Sequence, residues 1–188
     1  MKRFVLAGLL ALALGSASAA EVAGVRVEDT VKVGGTDLVL NGAGKRTRLM
    51  FDVYVAALYL PAKKAAADDI LASPAPSRVS LTLMREISAD QLVEALVDGV
   101  RANTTPGELE KIKSQLEALE GTMRAIGGAK KGDVVTIDFL ADGNTAVALN
   151  GKPQGKPIPG ADFQRALLSV WLGGKPVQAD LKKAMLGG

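Results

Sequence analysis

The feature that most constrains this chain is the stretch from Arg46 to Leu60, dense in Leu, Phe, Val and Tyr and stopped by Pro61. Branched and aromatic side chains suit a pleated, half-buried surface, so the stretch is expected to form one long central strand. A strand of that length has to lie inside a sheet, and the rest of the sequence has to supply its neighbours and a covering layer. In a regular strand, alternation puts Arg46, Arg48, Met50, Asp52 and Tyr54 on one face and Leu49, Phe51, Val53, Val55 and Ala57 on the other.

The flanking sequence supplies both kinds of partner. Val25, Val27, Asp29, Val31 and Val33 alternate along Val22 to Val33, and Gly34-Gly35 offers a tight turn into a second strand from Thr36 to Leu40. Asn41-Gly42-Ala43-Gly44 reads as another turn. Lys63 to Leu71 is expected to form a short helix, and Arg78 to Arg85 alternates as a strand. Ser88 with Gln91, and Thr105-Pro106 with Glu108, have the spacing of helix start signals. Leu92, Leu96, Val97 and Val100 form the apolar stripe of the first helix. Leu109, Ile112, Leu116, Leu119 and Met123 form that of the second, which Gly127-Gly128 ends. Asp133 to Leu140 and Thr145 to Leu149 make a hairpin, Lys152 to Pro159 an extended Pro/Gly segment, and Phe163 to Leu172 and Val177 to Leu186 two closing helices. Trp171 falls on an apolar helix stripe and is assigned to the core, away from any ligand. The whole is one α+β domain.

The N-terminus is laid out for processing. Lys2 and Arg3 precede an apolar run from Phe4 to Leu14, and small residues follow with Ala17-Ser18-Ala19 as a cleavage site. This is the pattern of a secretory signal peptide, with residues 1–20 removed after Ala19 or Ala20 and 21–188 forming the mature domain. The run is too short to span a bilayer, so the mature form is expected to have no membrane span and to reside in a bacterial-type periplasm. Losing Lys2 and Arg3 leaves 21 basic against 20 acidic residues, which gives a nucleic-acid partner little electrostatic support.

The 188 residues contain no His and no Cys. Imidazole acid/base chemistry, thiolate nucleophiles, disulfides and iron–sulfur clusters are thereby excluded. No metal or cofactor motif stands out. Gly42-Ala43-Gly44 precedes a strand and not a helix, so it is no phosphate-cradling loop. Paired lysines at 63–64, 130–131 and 182–183 read as solvated charges. The candidate site is the mixed face that carries Arg46 and Tyr54. It is either a solvent face with an Arg–Asp cross-pair, or a ligand face where an Arg binds an anion bidentately and a Tyr hydroxyl donates to the same group, with an apolar pocket behind.

Asn41-Gly42-Ala43-Gly44-Lys45-Arg46, followed by Phe51-Asp52-Val53-Tyr54-Val55-Ala56-Ala57-Leu58-Tyr59-Leu60, resembles the opening of chalcone-isomerase-fold proteins, nearest to a bacterial secreted chalcone isomerase-like group. Phe163-Gln164-Arg165-Ala166, Val170-Trp171-Leu172-Gly173 and Pro176 to Leu186 resemble that family's closing helices. The resemblance runs from about Val22 to Leu186. It implies an open-faced β-sandwich, a long antiparallel sheet with helices layered on it and a cleft between. In the family's plant enzymes the cleft closes a flavanone ring; in its fatty-acid-binding members an Arg and a Tyr hold a carboxylate. Arg46 matches the motif Arg, and Tyr54 or Tyr59 supplies the Tyr, with parity favouring Tyr54 unless a β-bulge intervenes. Where the isomerases follow the Arg with a Thr this chain has Tyr54, and their helical Tyr–Asn pair has no counterpart.

Three readings follow. The chain is a non-catalytic periplasmic binder of a fatty acid or similar apolar carboxylate. Or it is an isomerase or lyase, an intramolecular lyase in the family's manner, acting on an enone-like compound. Or it is a structural or partner-binding protein without a small ligand. An Arg46 set into a pocket favours the first two over the third.

Overall fold

Capping and turn chemistry fix several of the element boundaries. The computed structural model describes residues 19–74 and 76–188. The expected processing signal at residues 1–20, apart from its last two residues, lies outside the described residues. Ala19 and Ala20 open a short strand, β1 (Ala19–Val22), that pairs with β2 (Val25–Glu28). A turn at Ala23-Gly24 and a break at Asp29 divide the expected Val22–Val33 strand into β1, β2 and β3 (Thr30–Val33). Gly34 and Gly35 then connect β3 to β4 (Thr36–Arg48), both at positive φ, as a type I′ hairpin turn requires.

Two expectations fail in β4. Asn41-Gly42-Ala43-Gly44 is no turn; it lies inside the strand. The glycines are there because a helix crosses the strand. A Cβ on Gly42 would collide with the Ala184 carbonyl oxygen, and one on Gly44 would sit 2.7 Å from the Ala184 Cβ. Asn41 is the extra residue of a β-bulge. Its amide donates to the Lys64 and Met185 carbonyl oxygens (2.9 and 2.8 Å) and its oxygen accepts from the Lys64 N–H (2.7 Å). The second failure is the single strand from Arg46 to Leu60. The chain reverses at Leu49-Met50, so Arg46 to Arg48 ends β4 and β5 runs from Phe51 to Leu60.

The remaining elements are α1 (Ala67–Ala72), β6 (Ser77–Leu83), α2 (Ala89–Asn103), α3 (Pro106–Lys111), α4 (Lys113–Ile126), β7 (Val134–Phe139), β8 (Asn144–Leu149), β9 (Lys152–Pro159), α5 (Ala161–Leu172) and α6 (Ala179–Met185). Both predicted capping boxes form, Ser88 with Gln91 and Thr105 with Glu108. The second helix is in fact two, because Ile112 leaves helical geometry between α3 and α4. Lys152 to Pro159 is a strand after all. It pairs only with β8, at the sheet edge, where prolines are tolerated.

Strands β3 to β9 form one antiparallel sheet in sequential order, with β5 and β6 in its interior. One face packs under the helices: Tyr54, Ala56, Leu58 and Leu60 of β5 meet Leu96 and Val100 of α2, Leu119 and Met123 of α4, and Leu167 and Trp171 of α5. On the other face Val55, Ala57 and Tyr59 pack with Leu38, Val33 and Val27. Both faces of β5 are therefore covered, which is why Tyr54 to Leu60 are buried without interruption. The architecture is α+β, a long antiparallel sheet layered by helices on one side with the small β1–β2 sheet separate from it. Among the described residues no helix is long and apolar enough to cross a membrane.

Candidate functional site

The early hairpin brings together residues that alternation along one strand was expected to align. Arg46 on β4 and Tyr54 on β5 are direct cross-strand partners, so they share a face. A second register shift lies between the pairs Arg46–Tyr54 and Thr47–Asp52, on the turn side of Arg46, and leaves that pairing intact. The Arg46 Nη1 donates to the Tyr54 hydroxyl at 3.5 Å, and its guanidinium carbon stands 5.7 Å from the centre of the Tyr54 ring.

Tyr59 lies elsewhere. It is an odd number of residues along β5 from Tyr54 and faces the other side of the sheet, within the smaller apolar cluster. Burial, with Glu28 adding to it and Arg78 opposing, pushes its hydroxyl up to about 12. The structure thus brings Arg46 and Tyr54 together and leaves Tyr59 apart.

Arg46 and Tyr54 border a cleft of about 290 Å³, near the lower end of the roughly 300–1,000 Å³ common for ligand pockets. Its inner wall is Tyr54, Leu81, Val170 and Trp171; α2 contributes Gln91, Leu92, Ala95 and Leu96. Arg46, Arg48, Leu49, Phe51, Arg85 and Glu86 surround the mouth. The interior is apolar and the rim is charged.

Trp171 corrects an expectation. It is buried, as a core residue should be, but its ring also lines the cleft. Its Nε1–H donates to the Tyr54 hydroxyl at 3.1 Å. The phenol oxygen therefore accepts from Trp171 and from Arg46, and its own hydrogen is left to donate to a third group. The sequence located Trp171 on an apolar stripe; only the helix-to-sheet contact with Tyr54 gives it a second task.

The Arg–Asp cross-pair of the solvent-face alternative does not form between Arg46 and Asp52. Asp52 is held by Lys45, Nζ to Oδ1 2.9 Å, and by the Thr47 hydroxyl at 3.2 Å. Lys45, and after it Thr47, hold the Asp52 carboxyl below its ordinary value despite some opposing desolvation. Among the described residues no carboxylate lies within ion-pair distance of Arg46, Arg48 or Arg85. Arg85 stacks on Phe51, with its guanidinium carbon 4.9 Å from the ring centre. Among the described residues no cluster of carboxylates could hold a metal ion. What this arrangement can do is bind an anion: a planar fork and a phenol O–H converge at the edge of an apolar cavity.

A family model described as chalcone isomerase-like matches residues 19–187, nearly all of the described chain. Among solved structures, the crystal structure of the fatty-acid binding protein AtFAP1 of Arabidopsis thaliana aligns with a TM-score of 0.64 at 14% sequence identity. The alignment covers 87% of this chain and 92% of that one, and shows that the two share a fold. No protein of curated function matches the sequence.

Proposed function

The chain belongs to the chalcone isomerase-like family, and we propose that it is a non-catalytic binder of a fatty acid or a similar apolar carboxylate. One observation carries this reading. Arg46 is partly buried at the mouth of an apolar cleft, touches a phenol, and has no carboxylate partner among the described residues. A guanidinium stays charged at any working pH, and removing it from water without an anion is costly. A ligand carboxylate would accept two parallel N–H bonds from Arg46 and the O–H of Tyr54, while its hydrocarbon tail displaced water from the wall of Leu81, Leu92, Leu96 and Val170. That the family's fold also serves a protein described as binding fatty acids supports the same reading.

The protein would do this as an exported, periplasmic chain, processed after Ala19 or Ala20. The support is the basic, apolar and small-residue order of residues 2–20. Native mass spectrometry of the protein recovered from the periplasm tests both parts. The mass of the stripped chain reports processing, and a bound species of fatty-acid size reports the ligand. A chain that still carries Phe4–Leu14 in the exported form would refute the first. A processed chain that neither brings nor accepts an added fatty acid would refute the second.

A further inference from the structure

Three large apolar side chains stand exposed among the described residues, and they are consecutive: Leu49 at 87%, Met50 at 92% and Phe51 at 56% of full exposure. They form the tip where β4 turns into β5; Leu49 and Phe51 reach the rim of the cleft, and Met50 stands outside its lining. A contiguous exposed apolar point of this kind marks a contact surface.

The backbone adds a second observation. Leu49 is held at φ 54°, where a bulky side chain is strained and a glycine or asparagine would rest easily. The turn thus keeps a large apolar residue where local conformation alone disfavours one. The surroundings add a third. Arg48 and Arg85 flank the tip, both exposed and neither within ion-pair distance of a carboxylate among the described residues. Glu86 is the nearby acidic residue on the rim, and Asp52 is already held by Lys45. An apolar point inside a ring of surplus positive charge complements a bilayer surface that carries anionic headgroups.

We propose that the β4–β5 tip docks the protein onto an anionic lipid bilayer, with Leu49, Met50 and Phe51 inserted among the acyl chains and Arg48 and Arg85 on headgroup phosphates. Docked in this way, the mouth of the cleft faces the lipid. If the cleft takes fatty acids, as proposed above, the ligand passes between membrane and pocket without crossing water. The docking itself does not depend on that reading.

The test is co-flotation of the protein with phosphatidylcholine vesicles, with and without phosphatidylglycerol. Intact mass must first confirm that the Phe4–Leu14 run is absent, since that segment could bind lipid itself. Each arginine near an anionic surface strengthens binding about fivefold, so the two together favour the phosphatidylglycerol vesicles by roughly 25-fold. Added salt should erode that preference. Met50→Asp changes a side chain that is outside the cleft lining and almost fully exposed. It should lower vesicle binding at least tenfold while leaving laurate affinity in solution unchanged. Wild-type protein that stays off phosphatidylglycerol vesicles, or Met50→Asp that floats like wild type, overturns the proposal. So does a micromolar dimer that Met50→Asp dissolves while vesicle binding is absent, which would assign the tip to a second copy of the chain. Vesicle binding without laurate binding would keep the docking and refute the ligand reading.

Discussion

Tyr54 and Trp171 should be energetically coupled, because each satisfies the other at a buried point. The bond from the Trp171 Nε1–H to the Tyr54 hydroxyl is 3.1 Å long, and the two residues are 3% and 1% exposed. Tyr54→Phe removes the acceptor and strands the indole donor, which costs about 1–3 kcal/mol. Trp171→Phe removes the donor and leaves a void where the second ring was. At roughly 24 cal/mol per Å³ that void costs about 1 kcal/mol, to which the lost hydrogen bond adds about 0.5–1.5 kcal/mol. In the double variant no donor is stranded, so the two losses should fall short of additive by about 0.5–1.5 kcal/mol. Urea unfolding followed by circular dichroism is the suitable assay, since the single Trp is among the residues changed. Losses that add within about 0.3 kcal/mol would show that the bond contributes nothing to folding, and the pre-oriented phenol would lose its basis.

Three further outcomes follow from the packing and the charges. Gly44→Ala should cost about 1–3 kcal/mol by pushing α6 off β4, and Ala184→Gly in the same chain should restore part of it; a neutral Gly44→Ala would contradict the close crossing. Asn41→Ala strips partners from Lys64 and Met185 and should cost about 2–4 kcal/mol in urea unfolding, with loss below about 1 kcal/mol arguing against the clamp. In Tyr54→Phe the remaining phenol is Tyr59, whose tyrosinate absorbance should appear near pH 12; a midpoint near the ordinary value of about 10 would contradict its burial. Because folding raises that value, the contribution of neutral Tyr59 to stability is complete below about pH 10 and is lost as pH climbs to about 12, a decline that Tyr59→Phe should flatten.

The helices were legible because their signals are local. Ser88 with Gln91 and Thr105 with Glu108 satisfy orphan N–H groups within one turn, so spacing alone announces them. Gly34-Gly35 is legible for the same reason. Asn41-Gly42-Ala43-Gly44 has the composition of a turn, but its small size answers to α6, which arrives from the far end of the chain. The real turn at Leu49-Met50 carries neither turn residue nor polar cluster, so the hairpin was hidden inside an apolar run. The Arg46–Tyr54 pairing was nevertheless anticipated by parity along one strand. It is realised across two strands, and the bulge beside it leaves it undisturbed. The wall from α2, the stacked Arg85 and Phe51, and the Trp171 bond depend on contacts between distant segments, which no local spacing encodes.

The central claim is that Arg46 holds a ligand carboxylate at the mouth of an apolar cleft. Isothermal titration of laurate or palmitate into the wild-type protein and into Arg46→Ala tests it most directly. Loss of a charge-assisted bidentate contact costs about 1.5–3 kcal/mol, so Arg46→Ala should bind roughly ten- to a hundred-fold more weakly, and Tyr54→Phe should lose less. A wild-type protein that binds neither acid, or an Arg46→Ala variant that binds as tightly as wild type, would contradict the account.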